Sequence, residues 1–177
     1  MVADVFGGNR AAGSAETVVR ALSWAVASHP SVINISLVGP DNRLLARAIE
    51  AVERRGIAVV AAVGNDGPAA PLQYPASYPG VVSVTAVDAR DRALPEAGRA
   101  AHLDFAAPGA DLAAALPGGG YGRVRGTSFA APLVAARLAL ASTVARLAAE
   151  ASPGKGRIGR GIICRACRID PRLVGAK

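Results

Sequence analysis

The sequence predicts an α/β fold organised on a parallel sheet, and three observations carry that expectation. Short apolar, β-branched runs alternate with stretches of helical periodicity along the 177 residues, the pattern of βαβ units. The runs are apolar throughout rather than alternating with polar residues, as in strands covered on both faces. Hydrophobic residues make up 51% of the chain but aromatic residues only 4%. The core is therefore built from Ala, Val, Leu and Ile.

In chain order, Val2 to Phe6 reads as a short strand ending at a Gly-Gly turn. Ala15–Ser28 places Val18, Val19, Leu22, Ala25 and Val26 on one helical face, with Ser14 as its cap. "SVINISL" reads as a buried strand. "DNRLLARAIEAVERRG" reads as a second amphipathic helix, from the Asp41 region to a stop at Gly56. "IAVVAAVGN" and Gly80–Asp88 give two more strands, and Leu103–Gly109 a short fourth. A long helix is predicted from about Thr127 to Glu150, then a loop, then a short strand over Gly161 to Cys164.

The net charge is +7, which by itself would suggest a nucleic-acid partner. Its distribution argues against one. Residues 1–152 carry a net +1 and residues 153–177 a net +6, so the basicity belongs to a tail. No aromatic residues interleave with the tail charges to form a base-stacking surface. The tail is expected to be a solvated basic segment, distinct from the domain over 1–152. No apolar run is long enough to span a bilayer, and "MVADVFGG" lacks the features of a signal peptide. "GGNRAAG" is a poor phosphate-loop match. Cys164 and Cys167 in "CRAC" supply at most half of a zinc site. They read as a structural or incidental pair, able to form a small-loop disulfide.

In parallel α/β sheets, chemistry gathers at the carboxyl ends of strands. "AAVGNDG" ends a strand at Gly64-Asn65, and "RGTSFAAP" feeds a helix start at Ser128. A serine there has helix amide N–H groups and the positive end of the helix dipole beside it. Taken singly, Ser128 reads as an N-cap and Asn65 as a turn residue.

Taken together, these segments resemble the subtilisin-like serine peptidases (the subtilase family). "GTSFAAPLVAA" resembles the family's serine box, "VINISLVGP" its cleft-lining segment and "GIAVVAAVGNDG" the strand ending in its oxyanion asparagine. "YPASYPGVVSVTAVD" and "LDFAAPG" follow in order and spacing. The resemblance covers about residues 1–150. It implies a subtilisin-like parallel sheet with flanking helices and peptide-bond hydrolysis through an acyl-enzyme on Ser128. The Asn65 amide and the Ser128 backbone N–H would form the oxyanion hole. Ser36, Leu37 and Val38 would pair with an extended peptide, and Ala62, Val63 and Gly64 would face it across the S1 pocket. Gln73 and Val38 stand where the family commonly has glycine, which implies a smaller or more polar S1 pocket. The resemblance implies no obligatory cofactor, allows a structural calcium ion, and implies a secreted or periplasmic location.

The family order is Asp, then His, then Ser. Neither a D-[ST]-G strand nor an H-G-T-x-V-A-G helix occurs in this chain. The predicted sheet is therefore incomplete, without the family's N-terminal strands and its histidine helix. His29 and His102 lack the family context and read as loop histidines. The expectation is a chain that carries the nucleophile and oxyanion hole but is inactive alone. Its partners would be a peptide or protein substrate and the missing N-terminal segment, which supplies a strand central to the family sheet. The alternative is a non-catalytic remnant or peptide-binding module that retains the cleft.

Overall fold

The computed structural model describes residues 1–7 and 13–175. The second glycine of the predicted Gly-Gly turn and most of "GGNRAAG" lie outside them. Four parallel strands form one sheet in the order β1 (Val32–Ile35), β2 (Ala58–Ala62), β3 (Val82–Val87) and β4 (Phe105–Pro108). Helices α1 (Ala15–Val26) and α2 (Arg43–Glu53) cover one face. Helix α3 (Thr127–Ala141) covers the other, lying across all four strands.

The strand period of two explains this two-sided core. On β2, Val59, Ala61 and Val63 point towards α2, while Val60 and Ala62 point towards α3. The small side chains on the α3 side let the helix approach the sheet closely. Its facing residues are Ala130, Ala131, Val134, Ala135 and Leu138, all buried.

The helix starts follow from local chemistry. Ser14 and Thr17 form a reciprocal capping box, with Thr17 N donating to Ser14 Oγ at 3.2 Å and Ser14 N to Thr17 Oγ1 at 3.0 Å. Asn42 caps α2 by accepting from Leu44 N and Leu45 N.

Four expectations are corrected. Val2 to Phe6 is not a strand: it lies beside Thr17, Arg20 and Trp24 of α1 with no sheet neighbour, and a lone strand leaves its backbone groups unpaired. The predicted helix to Glu150 is two helices. Ser142 turns left-handed at φ 65°, and Thr143 caps α4 (Val144–Ala149) by accepting from Arg146 N. Residues 112–124 contain an unpredicted hairpin, β5 (Leu112–Ala115) with β6 (Tyr121–Val124); the Ala-rich β5 has no strand-like sequence signature.

The fourth correction concerns the basic tail, which is not merely solvated. Ile162 and Ile163 are fully buried, and this segment makes a single parallel bridge to Ala106 on the outer side of β4 in place of the predicted strand. Arg165 pairs with Asp91, Arg160 approaches Asp104, and Arg168 donates to the carbonyls of Ala110 and Asp88. Burial there holds the Arg168 guanidinium below its ordinary pKa. Cys164 and Cys167 are disulfide-bonded.

The opposite side of the sheet differs. No described strand pairs with the outer side of β1.

Candidate active site

Three loops meet where the parallel strands end. Ser36 to Gly39 follows β1, Val63 to Asn65 follows β2, and Gly126 to Ser128 opens α3. The backbone reaches this arrangement through two glycines. Gly64 sits at φ 87° and Gly126 at φ 135°, conformations that L side chains rarely adopt. A Cβ on Gly126 would also come within 3.2 Å of Asn65 Nδ2.

Asn65 is held by α3. Its Oδ1 accepts from Thr127 N at 2.9 Å and lies 3.3 Å from Thr127 Oγ1, which also donates to Gly64 O at 3.2 Å. With Oδ1 occupied in this way, the amide is oriented and Nδ2 remains as an exposed donor. Thr127 is fully buried, so this brace is shielded from competing water. Sequence reasoning missed Thr127's part in it; its place between the glycine and the serine of the triplet was the available signal.

Ser128 is not the helix cap. Gly126 occupies that position, and Ser128 lies inside the first turn with its side chain turned to the β1 loop. Its Oγ donates to Ser36 O at 3.4 Å, and Ser36 Oγ donates to Ser128 O at 3.1 Å. The second bond depends on Pro132. In a regular helix the Ser128 carbonyl would accept from the N–H four residues on, which proline lacks. The freed carbonyl takes the Ser36 hydroxyl instead. Asn34 Nδ2 steadies Ser36 Oγ at 3.0 Å.

The other predicted cleft residues divide by side-chain direction. Ala62 and Val63 are each 1% exposed and point into the two cores, so they can meet a peptide only through main chain. Val38 and Gln73 come together over Gly64: their side chains lie 3.3 Å and 3.4 Å from where a Cβ on Gly64 would stand. Leu37 packs partly into the α2-side core. Gly39 and Tyr74 exchange backbone hydrogen bonds of 2.9 Å and 3.0 Å, fixing the β1 loop to the Gln73 segment.

A second brace, also not foreseen, ties the Asn65 and Ser128 loops together. Glu96 grips Arg125, three residues before Ser128, through contacts of 2.5 Å and 2.9 Å. The Glu96 carbonyl accepts from Gly67 N, two residues after Asn65. The Arg125 guanidinium holds the Glu96 carboxyl below its ordinary pKa.

Neither histidine is near Ser128. His29 ends the turn before β1, and His102 Nε2 lies 2.8 Å from Val81 O, just before β3. Both therefore sit at the amino ends of the strands, and Ser128 sits beyond the carboxyl ends. A six-residue strand such as β3 at about 3.3 Å per residue separates the two ends by roughly 15–20 Å. Among the described residues no three His, Cys, Asp or Glu side chains converge as metal ligands, so no calcium site is assigned. No helix among them is long and apolar enough to cross a membrane.

A serine in the first turn of a helix and an asparagine amide held with its nitrogen as a free donor thus meet at the carboxyl end of a parallel sheet. The chain belongs to the subtilase family, whose sequence profile matches residues 1–152. It is 36% identical over 132 residues to the subtilisin of Bacillus pumilus, covering 72% of this chain and 48% of that protein. It is also 36% identical over 146 residues to the major intracellular serine protease of Bacillus subtilis (strain 168), covering 79% and 46%. Among solved structures, the prenylagaramide maturation protease PagA superposes with a TM-score of 0.78 at 28% identity, over 90% of this chain and 68% of that one. The self-cleaved protease domain of PatA matches with the same score and identity, over 98% and 73%. The chain thus spans half or less of the length of the curated relatives it matches.

Proposed function

We propose that this chain is the C-terminal catalytic portion of a subtilisin-like serine endopeptidase. Ser128 is the acyl-forming nucleophile, and Asn65 Nδ2 with the Ser128 backbone N–H receives the oxyanion. Ser36, Leu37 and Val38 offer main chain to an extended peptide on one side of the cleft, and the Ala62–Gly64 backbone does so on the other. Val38 and Gln73 narrow the floor between them at Gly64, favouring a small side chain at the cleaved residue. The observation that carries the reading is the orientation of the Asn65 amide by Thr127, which leaves a donor beside Ser128.

The chain alone is inactive or nearly so. Deprotonating a serine at neutral pH needs a base, and both histidines lie at the far end of the sheet. Ser128 instead gives its proton in a hydrogen bond to the Ser36 carbonyl. The free side of β1 is where a further parallel strand would dock, bringing the aspartate and histidine that the family resemblance implies. The expected result of titrating the purified chain with a fluorophosphonate is slow, sub-stoichiometric labelling. Rapid stoichiometric labelling at Ser128 would refute inactivity.

A second reading, a peptide-binding module without turnover, is favoured by the closed Ser36–Ser128 pair. It predicts that adding an N-terminal segment with the aspartate and histidine motifs restores no hydrolysis while peptides still bind. An oxidising compartment fits the Cys164–Cys167 bond. The family alone does not decide the location, since one relative is named as intracellular. Thiol alkylation of the natively produced protein tests it: two alkylated cysteines would contradict a secreted or periplasmic site.

A further inference from the structure

Behind the Asn65 loop lies a cavity of about 210 Å³. Its walls are mostly aliphatic, with Val63, Leu94, Pro95 and Leu103 among them. Only two lining side chains are polar, Thr85 and Arg157. Thr85 is 3% exposed, and its hydroxyl has no hydrogen-bond partner among the described residues. That hydroxyl is reachable from the cavity and is left free to bond an occupant.

Arg157 is exposed at the mouth. Unlike its neighbours Arg160 and Arg165, it pairs with no carboxylate among the described residues. The chain two residues before it is anchored: Lys155 N donates to Asp91 O at 2.8 Å and Ala93 N to Lys155 O at 2.9 Å. No acidic residue lines the cavity.

We propose that this cavity is a binding site for a short aliphatic carboxylate. The chain of the acid lies along Val63, Leu94 and Leu103, one carboxylate oxygen accepts the Thr85 hydroxyl, and Arg157 supplies the countercharge. The space suits an acid of about five or six carbons, and ligands of that size reach a Kd on the order of 1 mM.

The site is placed to influence the cleft. The segment that roofs it, residues 93–103, donates Gly98 N to Gly64 O at 2.8 Å and carries the Glu96 that grips Arg125. Gly98 packs so tightly on Val63 that a Cβ there would lie 2.3 Å from the Val63 carbonyl oxygen. An occupant that presses on this roof presses on both catalytic loops.

The test is an amide NMR titration of the full chain with sodium hexanoate, hexanol and hexylamine, which requires no catalytic activity. Hexanoate is expected to shift resonances around Val63, Thr85, Leu94 and Leu103 and, through Gly98, those of Gly64 and Asn65. Arg157→Gln, a surface change, should weaken hexanoate about tenfold and leave hexanol unchanged; Thr85→Val should weaken both. Absence of these shifts at about 50 mM hexanoate, equal binding of hexylamine, or hexanoate affinity unaltered by Arg157→Gln would each overturn the proposal.

Discussion

The two sides of Ser128 are built to different degrees. On the Asn65 side the loop is braced from several directions: Thr127 orients the amide, Gly126 makes room for it, and Glu96 binds both loops. On the β1 side, a four-residue strand presents an edge with no described strand beside it, and Ser36 and Asn34 supply the polar side chains that reach towards Ser128. On the proposed reading, the oxyanion hole is a local structure. Its parts lie on the ends of β2 and α3, which pack through the core they share. In the proposed enzyme the general base is a non-local part that comes from elements other than β2 and α3.

The most severe test of this contrast is to supply what the open side lacks. Adding a segment that carries the family's aspartate and histidine motifs is expected to raise peptide hydrolysis by at least about 10⁴-fold, with Ser128→Ala abolishing it. No rise with a segment shown to bind would remove Ser128 from the nucleophile's role. In that completed enzyme, Asn65→Ala should lower kcat about 10²–10³-fold with little change in KM. An equal effect on KM alone would make Asn65 a substrate-binding residue instead.

Smaller effects probe the closed side by itself. Gly126→Ala forces a side chain into a left-handed conformation against the Asn65 amide, at a cost of about 2–3 kcal/mol, measurable as a lowered urea midpoint. The smallest effect concerns Glu96→Gln. Because Arg125 depresses the folded-state pKa of Glu96, its contribution is present above the unfolded carboxylate value of about 4.3. It is lost as pH falls through the lower folded value. Both partners are part-exposed, so the pair contributes only about 0.5 kcal/mol. Wild type should thus exceed the variant in stability at neutral pH and converge with it in acid. A gap that persists below the folded pKa would mean the pair acts through packing.

The sheet and its two-sided core were legible because continuous apolar runs between helical stretches leave few alternatives to a parallel sheet covered on both faces. Ser128 and Asn65 were legible by their company, not by their own chemistry, which suited a cap and a turn equally. What escaped were features set by contacts distant in sequence. The Glu96–Arg125 brace joins residues 29 apart, and neither stands in a recognisable motif. The break at Ser142 hinges on one left-handed residue in an Ala-rich run. The burial of Ile162 and Ile163 was hidden by the charges around them, since composition averages over two side chains that are fully enclosed.

Those two isoleucines have a consequence for how the molecule can associate. They cover the β4 side of the sheet while the β1 side stays open, so the sheet can be extended in one direction only. Addition of a single strand at β1 ends the process if that strand arrives with its own covering helix. Two copies meeting there would join β1 to β1 about a two-fold axis, making an antiparallel seam inside an otherwise parallel sheet. Such a pair would be self-limiting, since each copy has one open side to offer, and it would compete directly with any strand that brings a base to Ser128.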